Sequence, residues 1–163
     1  MYEVKTQAYA SKREHYADLC LQARGLLEGE SDITANAANF GALIYHSLPD
    51  LNWCGFYLFD GTELVVGPFQ GKPACIRIAL GRGVCGTAAQ TRQTQLVRDV
   101  NQFDGHIACD AASQSEIVVP LTRADGRLFG VWDVDSPSIA RFDDEDRAGM
   151  EALCAVFMES VNR

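Results

Sequence analysis

Positive charge is scarce in this sequence, and that scarcity is the first limit on what the chain can do. Lysine and arginine together number 14 against 22 aspartates and glutamates, for a formal net charge of −8 at pH 7 and a pI near 4.8. The phosphate-neutralising field that nucleic-acid binding needs is missing, so no nucleic acid is expected as a partner, and an anionic membrane surface is an equally poor one. Long apolar runs are missing too. Nothing approaches the ~20 residues of a membrane-spanning helix, and Glu3, Lys5, Lys12, Arg13, Glu14 and Asp18 stand where a secretory signal would be apolar. A cytoplasmic protein is expected. Internal repeats, low-complexity tracts and Pro/Gly/Ser linkers are also absent. The 163 residues therefore read as one domain, 1–163, large enough to bury a core and too short to join a sensor to a separate output domain.

Cysteine, by contrast, is plentiful: Cys20, Cys54, Cys75, Cys85, Cys109 and Cys154. In a cytoplasmic chain they do not read as a structural disulfide framework, which leaves packing, metal binding or thiol chemistry. Close Cys-x-x-Cys pairs are lacking, and this weakens a zinc reading built on Cys75, Cys85, Cys109 and His106.

The periodicities predict an α+β fold. Apolar positions at helical spacing from Tyr16 to Leu27 mark a first helix over about Val4 to Glu28. Ser31 and Asp32 offer caps to a second, along Ile33, Ala37, Phe40, Ile44 and Leu48, which Pro49 ends. Period-two patterning then predicts strands at Trp53–Phe59, Glu63–Phe69, Ala74–Ile78, Gln95–Arg98, Ser115–Leu121 and Leu128–Asp135, with hairpin turns at Asp60-Gly61 and Ala124-Asp125-Gly126. Gly81 to Thr87 leads into a short helix; it lacks the Gly-Lys-Ser/Thr ending of a phosphate loop. A final helix opens at Phe142 and Asp143 and buries Met150, Leu153, Cys154, Phe157 and Val161. The expected architecture is a six-stranded, mostly antiparallel sheet with the N- and C-terminal helices on one face and ligand-binding loops on the other.

Three features on that second face point to chemistry. Trp53, Gly55 and Tyr57 share one side of a strand, so two aromatics flank a residue with no side chain; this is either a small-ligand slot or aromatic core with Gly55 at a bulge. Glu116 pairs with Asp135 in one hairpin register and with Asp133 in the other, and in both registers the three acids share a face. Such a cluster is costly unless a cation sits among the acids or one of them keeps its proton. Finally, the irregular stretch from Asp99 into the strand at Ser115 carries Cys109, three residues after His106 and away from any apolar run that would bury it. That placement suits a reactive thiol on a loop held by a sheet.

The motifs Trp53-Cys-Gly-Phe-Tyr57, Gly67 to Ile78, Gly81-Arg-Gly-Val-Cys85-Gly-Thr87, Asp104 to Ala112, Ser115-Glu-Ile-Val118 and Gly130-Val-Trp-Asp-Val-Asp-Ser136 together closely resemble the free methionine-(R)-sulfoxide reductases, which are single-domain GAF proteins. The likeness is dense from Trp53 to Phe142 and vague before it. It implies an attacking cysteine at Cys109, a resolving cysteine at Cys75 and a further redox-active cysteine at Cys85, with the division of roles between Cys85 and Cys109 left open. It also implies a methionine slot lined by Trp53 and Tyr57, and substrate-holding acids at Glu116, Asp133 and Asp135. The implied reaction reduces free methionine-(R)-sulfoxide through a cysteine sulfenic acid and an intramolecular disulfide, which thioredoxin or a similar dithiol protein recycles. No bound cofactor and no metal are expected, and oligomeric state is left open, a homodimer included. Cys54 and Trp132 sit where ordinary packing residues are expected. The rival reading is a GAF-type module that senses a small ligand or redox state, which would not need three motif cysteines.

Overall fold

The computed structural model describes residues 8–105 and 111–162. Helix α1, Lys12–Leu26, begins where Ser11 accepts the Glu14 N–H, so it starts later than the apolar periodicity suggests. Helix α2, Ile33–Ser47, is capped by Asp32 accepting from the Ala35 N–H, and it ends at Leu48 before Pro49. The strands are β1 (Trp53–Phe59), β2 (Leu64–Gly71), β3 (Arg77–Ile78), β4 (Gln95–Val97), β5 (Ser115–Thr122) and β6 (Leu128–Ser136), with α3 (Gly83–Thr91) between β3 and β4 and α4 (Asp144–Val161) last. They form one six-stranded sheet in the order β3-β2-β1-β6-β5-β4. Every neighbouring pair is antiparallel, where the sequence had promised only a mostly antiparallel sheet.

One predicted strand shrinks. In place of Ala74–Ile78 only Arg77 and Ile78 pair with β2, and Ile76 is 69% exposed where Ile78 is buried. Side chains take the carbonyls that a longer strand would offer: Trp53 Nε1 donates to the Lys72 carbonyl and the Tyr57 hydroxyl to the Cys75 carbonyl. Arg77 is drawn outward to Asp60 and Glu63. The 72–75 segment therefore lies over the sheet instead of extending its edge.

The pleat divides the sheet cleanly. Cys54, Phe56, Ile117, Val119, Leu121, Trp132 and Val134 pack beneath α1, α2 and α4, with the Trp132 ring centroid 5.0 Å from that of Phe40 and 4.7 Å from that of Phe56. Cys54 belongs wholly to this core, its thiol donating to the Gly41 carbonyl, so it is a packing residue on the face away from Trp53 and Tyr57. The opposite face carries Trp53, Tyr57, Val118 and Val131. It is not left to loops alone: α3 lays Val84, Cys85, Ala88 and Ala89 against it. A buried carboxylate ties the helical layer together, since Asp146 accepts from Lys12, from the Tyr16 hydroxyl and from Arg141. Among the described residues no helix is long and apolar enough to cross a membrane.

Candidate active site

The site is built where three rigid elements meet on the α3 face of the sheet. The β5–β6 hairpin adopts the first of the two registers, with Glu116 opposite Asp135 and Val118 opposite Asp133, slipping only at Leu121/Thr122 beside the turn. Strand β1 lies on the other side of β6 and sets Trp53 opposite Asp135, and Gly55 opposite Asp133. Glu116, Asp133, Asp135, Trp53 and Tyr57 therefore share one face, as the alternation predicts. Helix α3 closes it from above: Cys85 Sγ lies 4.0 Å from Glu116 Oε1. One ligand-capable atom each from Cys85, Glu116 and Asp133 falls within a span of 4.8 Å.

Gly55 is required here, although not because a ligand sits over it. A Cβ at Gly55 would lie 2.3 Å from the Phe69 Cβ and 2.9 Å from the Trp53 ring, and the β1–β2 register shifts just beyond it. The space above Gly55 is thus filled by Phe69, whose ring stacks on Trp53 at 5.2 Å. Gly55 is thus part of aromatic core, and the extra residue of the register shift lies in β2, between Val66 and Phe69. The slot lies one step aside, between Trp53, Tyr57, Asp133 and Asp135, with Lys72, Pro73 and Ala74 as its outer wall, a role for 72–74 that sequence patterning missed. Its volume is about 10 Å³, close to the minimum for one water. A cavity of about 1030 Å³ between α4 and the outer half of β5 holds none of the predicted site residues.

Burial governs the electrostatics. Glu116 and Asp133 are each only 6% exposed, and one oxygen of Asp133 has no hydrogen-bond partner. Desolvation, and then the charge of Asp135, pushes the Glu116 carboxyl well above the usual carboxylate range. Desolvation and then the charge of Glu116 do the same to Asp133. Burial and the neighbouring charges therefore both bias these carboxyls toward keeping a proton. Cys85 is pushed up in the same way, by burial first and then by Asp133 and Glu116, so it is kept as a thiol. Burial also raises the Tyr57 phenol above its ordinary range, which leaves its hydroxyl a hydrogen-bond donor, here to Cys75.

Cys75, half-buried directly after the 72–74 wall, is disulfide-bonded, whereas Cys20, Cys54, Cys85 and Cys154 carry free thiols. Cys109 and His106, the residues that the sequence places on the reactive loop, lie outside the described residues. The chain on either side of them is anchored near the acids. The Val100 N–H donates to the Gln114 carbonyl and the Gln114 N–H to the Ser136 carbonyl, and Asn52 donates to the Ser113 hydroxyl. Ser136 follows Asp135 directly, so this loop starts and ends at the acid end of the sheet.

The fold and sequence have close known relatives. The GAF domain family matches residues 42–161. The free methionine-R-sulfoxide reductase of Escherichia coli is 53% identical over 145 residues, spanning 89% of this chain and 87% of the relative. The chain belongs to the free methionine-R-sulfoxide reductase family of GAF proteins. Among solved structures, the Neisseria meningitidis free methionine-R-sulfoxide reductase in complex with its substrate superposes with a TM-score of 0.92 at 39% identity, covering 99% of this chain and 96% of that one. A Burkholderia vietnamiensis protein described as a GAF sensor is 77% identical, with a TM-score of 0.91 over 93% of this chain and 96% of its own.

Proposed function

We propose that this protein reduces free methionine-(R)-sulfoxide to methionine, with Cys109 as nucleophile, Cys75 as resolving thiol and the buried acids as proton donors. The observation that carries the proposal is a disulfide-bonded Cys75 directly after the 72–74 wall of a slot lined by Asp133, whose carboxyl burial pushes well above the usual range. An oxidised sulfur stands beside groups able to polarise a sulfoxide oxygen, and the E. coli and N. meningitidis relatives carry that activity in their names. A sensor module needs neither feature.

Glu116 or Asp133 donates a hydrogen bond, and then the proton, to the sulfoxide oxygen, which makes the sulfur electrophilic. The Cys109 thiolate attacks that sulfur, the oxygen passes to cysteine, and methionine leaves: sulfoxide sulfur gains two electrons and Cys109 becomes a sulfenic acid. The Cys75 thiol displaces water from the sulfenic acid to form the disulfide, and an external dithiol protein such as thioredoxin returns both sulfurs to thiols. Four free thiols among the remaining described cysteines support Cys109 as the partner of Cys75. Cys85 is the weaker candidate nucleophile, because only a thiolate attacks and this sulfur is held as a thiol.

The direct test is turnover on resolved sulfoxides with a dithiol reductant. Methionine is expected from the free R epimer and not from the S epimer; turnover of neither would return the chain to the sensor reading. A second measurement addresses the resolving step. Tyr57→Phe keeps the ring and removes the hydrogen bond to the Cys75 carbonyl, 3.0 Å long, and is expected to lengthen the sulfenic-acid lifetime roughly three- to tenfold. Rapid-quench trapping with a sulfenic-acid reagent reads that lifetime, and an unchanged value would show that Tyr57 does not position Cys75.

A further inference from the structure

The grouping of Cys85 with Glu116 and Asp133 offers more than proton donors. Each residue comes from a different rigid element, α3, β5 and β6, and each is buried, at 4%, 6% and 6% exposure. Their sulfur and carboxylate oxygens lie within 4.8 Å of one another, and Asp133 Oδ1 is buried with no hydrogen-bond partner. Tetrahedral zinc, with metal–sulfur bonds near 2.3 Å and metal–oxygen bonds near 2.0–2.2 Å, sets sulfur and oxygen ligands roughly 3.5 Å apart. The Cys85–Glu116 separation of 4.0 Å needs a contraction of only about half an ångström to meet that.

We propose that Cys85, Glu116 and Asp133 form a three-ligand site for a thiophilic divalent cation of the zinc class, with its fourth position opening toward the slot between Trp53, Tyr57 and Asp135. The donor set selects the metal: a thiolate favours zinc, cobalt or cadmium over magnesium and calcium, which take oxygen ligands. Binding a divalent ion there would release the protons these three ligands carry. This site differs from the zinc set read from sequence, since it uses one cysteine with two acids and involves neither Cys75 nor His106. Seated there, the cation takes the acids that the proposed reaction uses, so it competes with the sulfoxide; only this competition rests on the functional reading above.

Cobalt(II) is the probe, because a thiolate ligand gives it a charge-transfer absorption band. The full-length Cys75→Ser/Cys109→Ser protein removes the other slot thiols and is titrated with cobalt alone. One equivalent is expected to bind with a thiolate-to-cobalt band, and zinc is expected to displace it. Adding Cys85→Ser should abolish the band, and adding Glu116→Gln or Asp133→Asn, which leaves the thiol in place, should weaken binding on the order of tenfold or more. Thermal melts establish that each variant is folded. No band in the parent, or an equal band and affinity after Cys85→Ser and Glu116→Gln, overturns the site. Methionine is expected to raise the apparent cobalt dissociation constant. Cobalt binding through Cys85 that is indifferent to methionine keeps the metal site and rejects the acids as substrate ligands. Sulfoxide turnover by the wild-type protein, with no cobalt band in the double variant, rejects the metal site and keeps the enzyme.

Discussion

Cys109→Ser is expected to abolish methionine formation altogether, whereas Cys75→Ser is expected to release one equivalent of methionine and stop with Cys109 as a sulfenic acid. The difference follows from what each sulfur does: without the attacking thiolate no oxygen leaves the sulfoxide, but without the resolving thiol the first transfer still completes. Cys85→Ser is expected to retain single-turnover release, because its thiol is buried against two carboxyls and held in the protonated form. Quantifying methionine per protein in a single-turnover mix, together with mass spectrometry of the trapped Cys109, checks all three variants. Release that persists in Cys109→Ser and vanishes in Cys85→Ser would reverse the assignment. The closed slot, about 10 Å³ with Cys75 in a disulfide, also fits a cycle in which reduction frees the 72–75 wall to admit substrate.

Much of this site could be read from residue order because it is carried by sheet alternation. The period of two fixes which face a side chain takes, so the shared face of Trp53, Tyr57, Glu116, Asp133 and Asp135 followed whichever hairpin register formed. What stayed hidden depends on contacts between segments remote in sequence. Phe69 fills the space over Gly55 because a neighbouring strand delivers it there, and alternation within β1 carries no information about that. The collapse of the predicted Ala74–Ile78 strand has the same origin: Trp53 and Tyr57 claim the carbonyls of Lys72 and Cys75, and local β-propensity cannot register a side-chain competitor some 18 residues away. The buried setting of Cys85 was likewise invisible. Its motif Gly81 to Thr87 reads as a glycine-rich turn into a helix, and only the packing of α3 on β5 and β6 brings its sulfur to the acids. Gly86 reports only the tight turn before α3, since a Cβ there would lie 2.4 Å from the Ala79 carbonyl oxygen.

The acids that make the slot reactive should also make it selective and unstable. A free amino acid brings an α-ammonium group, which offsets the repulsion among Glu116, Asp133 and Asp135 when it binds beside them; an N-acetylated or peptide-bound methionine sulfoxide has no such charge, and its flanking chain must pass between Trp53 and the 72–74 wall. Catalytic efficiency on the N-acetyl derivative is therefore expected to be lower than on the free R-sulfoxide by on the order of 10²-fold or more. Near-equal values would mean that the acids are not the ammonium site. Glu116→Gln and Asp133→Asn should each lower efficiency on the free substrate by on the order of 10²–10⁴ through the loss of a proton donor. In the wild-type protein the rate should fall as pH rises through the elevated carboxyl range, where that proton is lost. Stability should move the other way. Because the folded pKa of Glu116 is raised above its unfolded value, its contribution to stability is fully present below the ordinary carboxylate range and is lost as pH climbs toward the folded pKa. Glutamine does not titrate, so Glu116→Gln should melt higher than wild type at neutral pH, with the gain disappearing as pH is lowered to about 4. Melting curves at the two pH values decide it: a variant that is both inactive and less stable at neutral pH would show that Glu116 is ionised and paired in the fold, which would remove it as the proton donor.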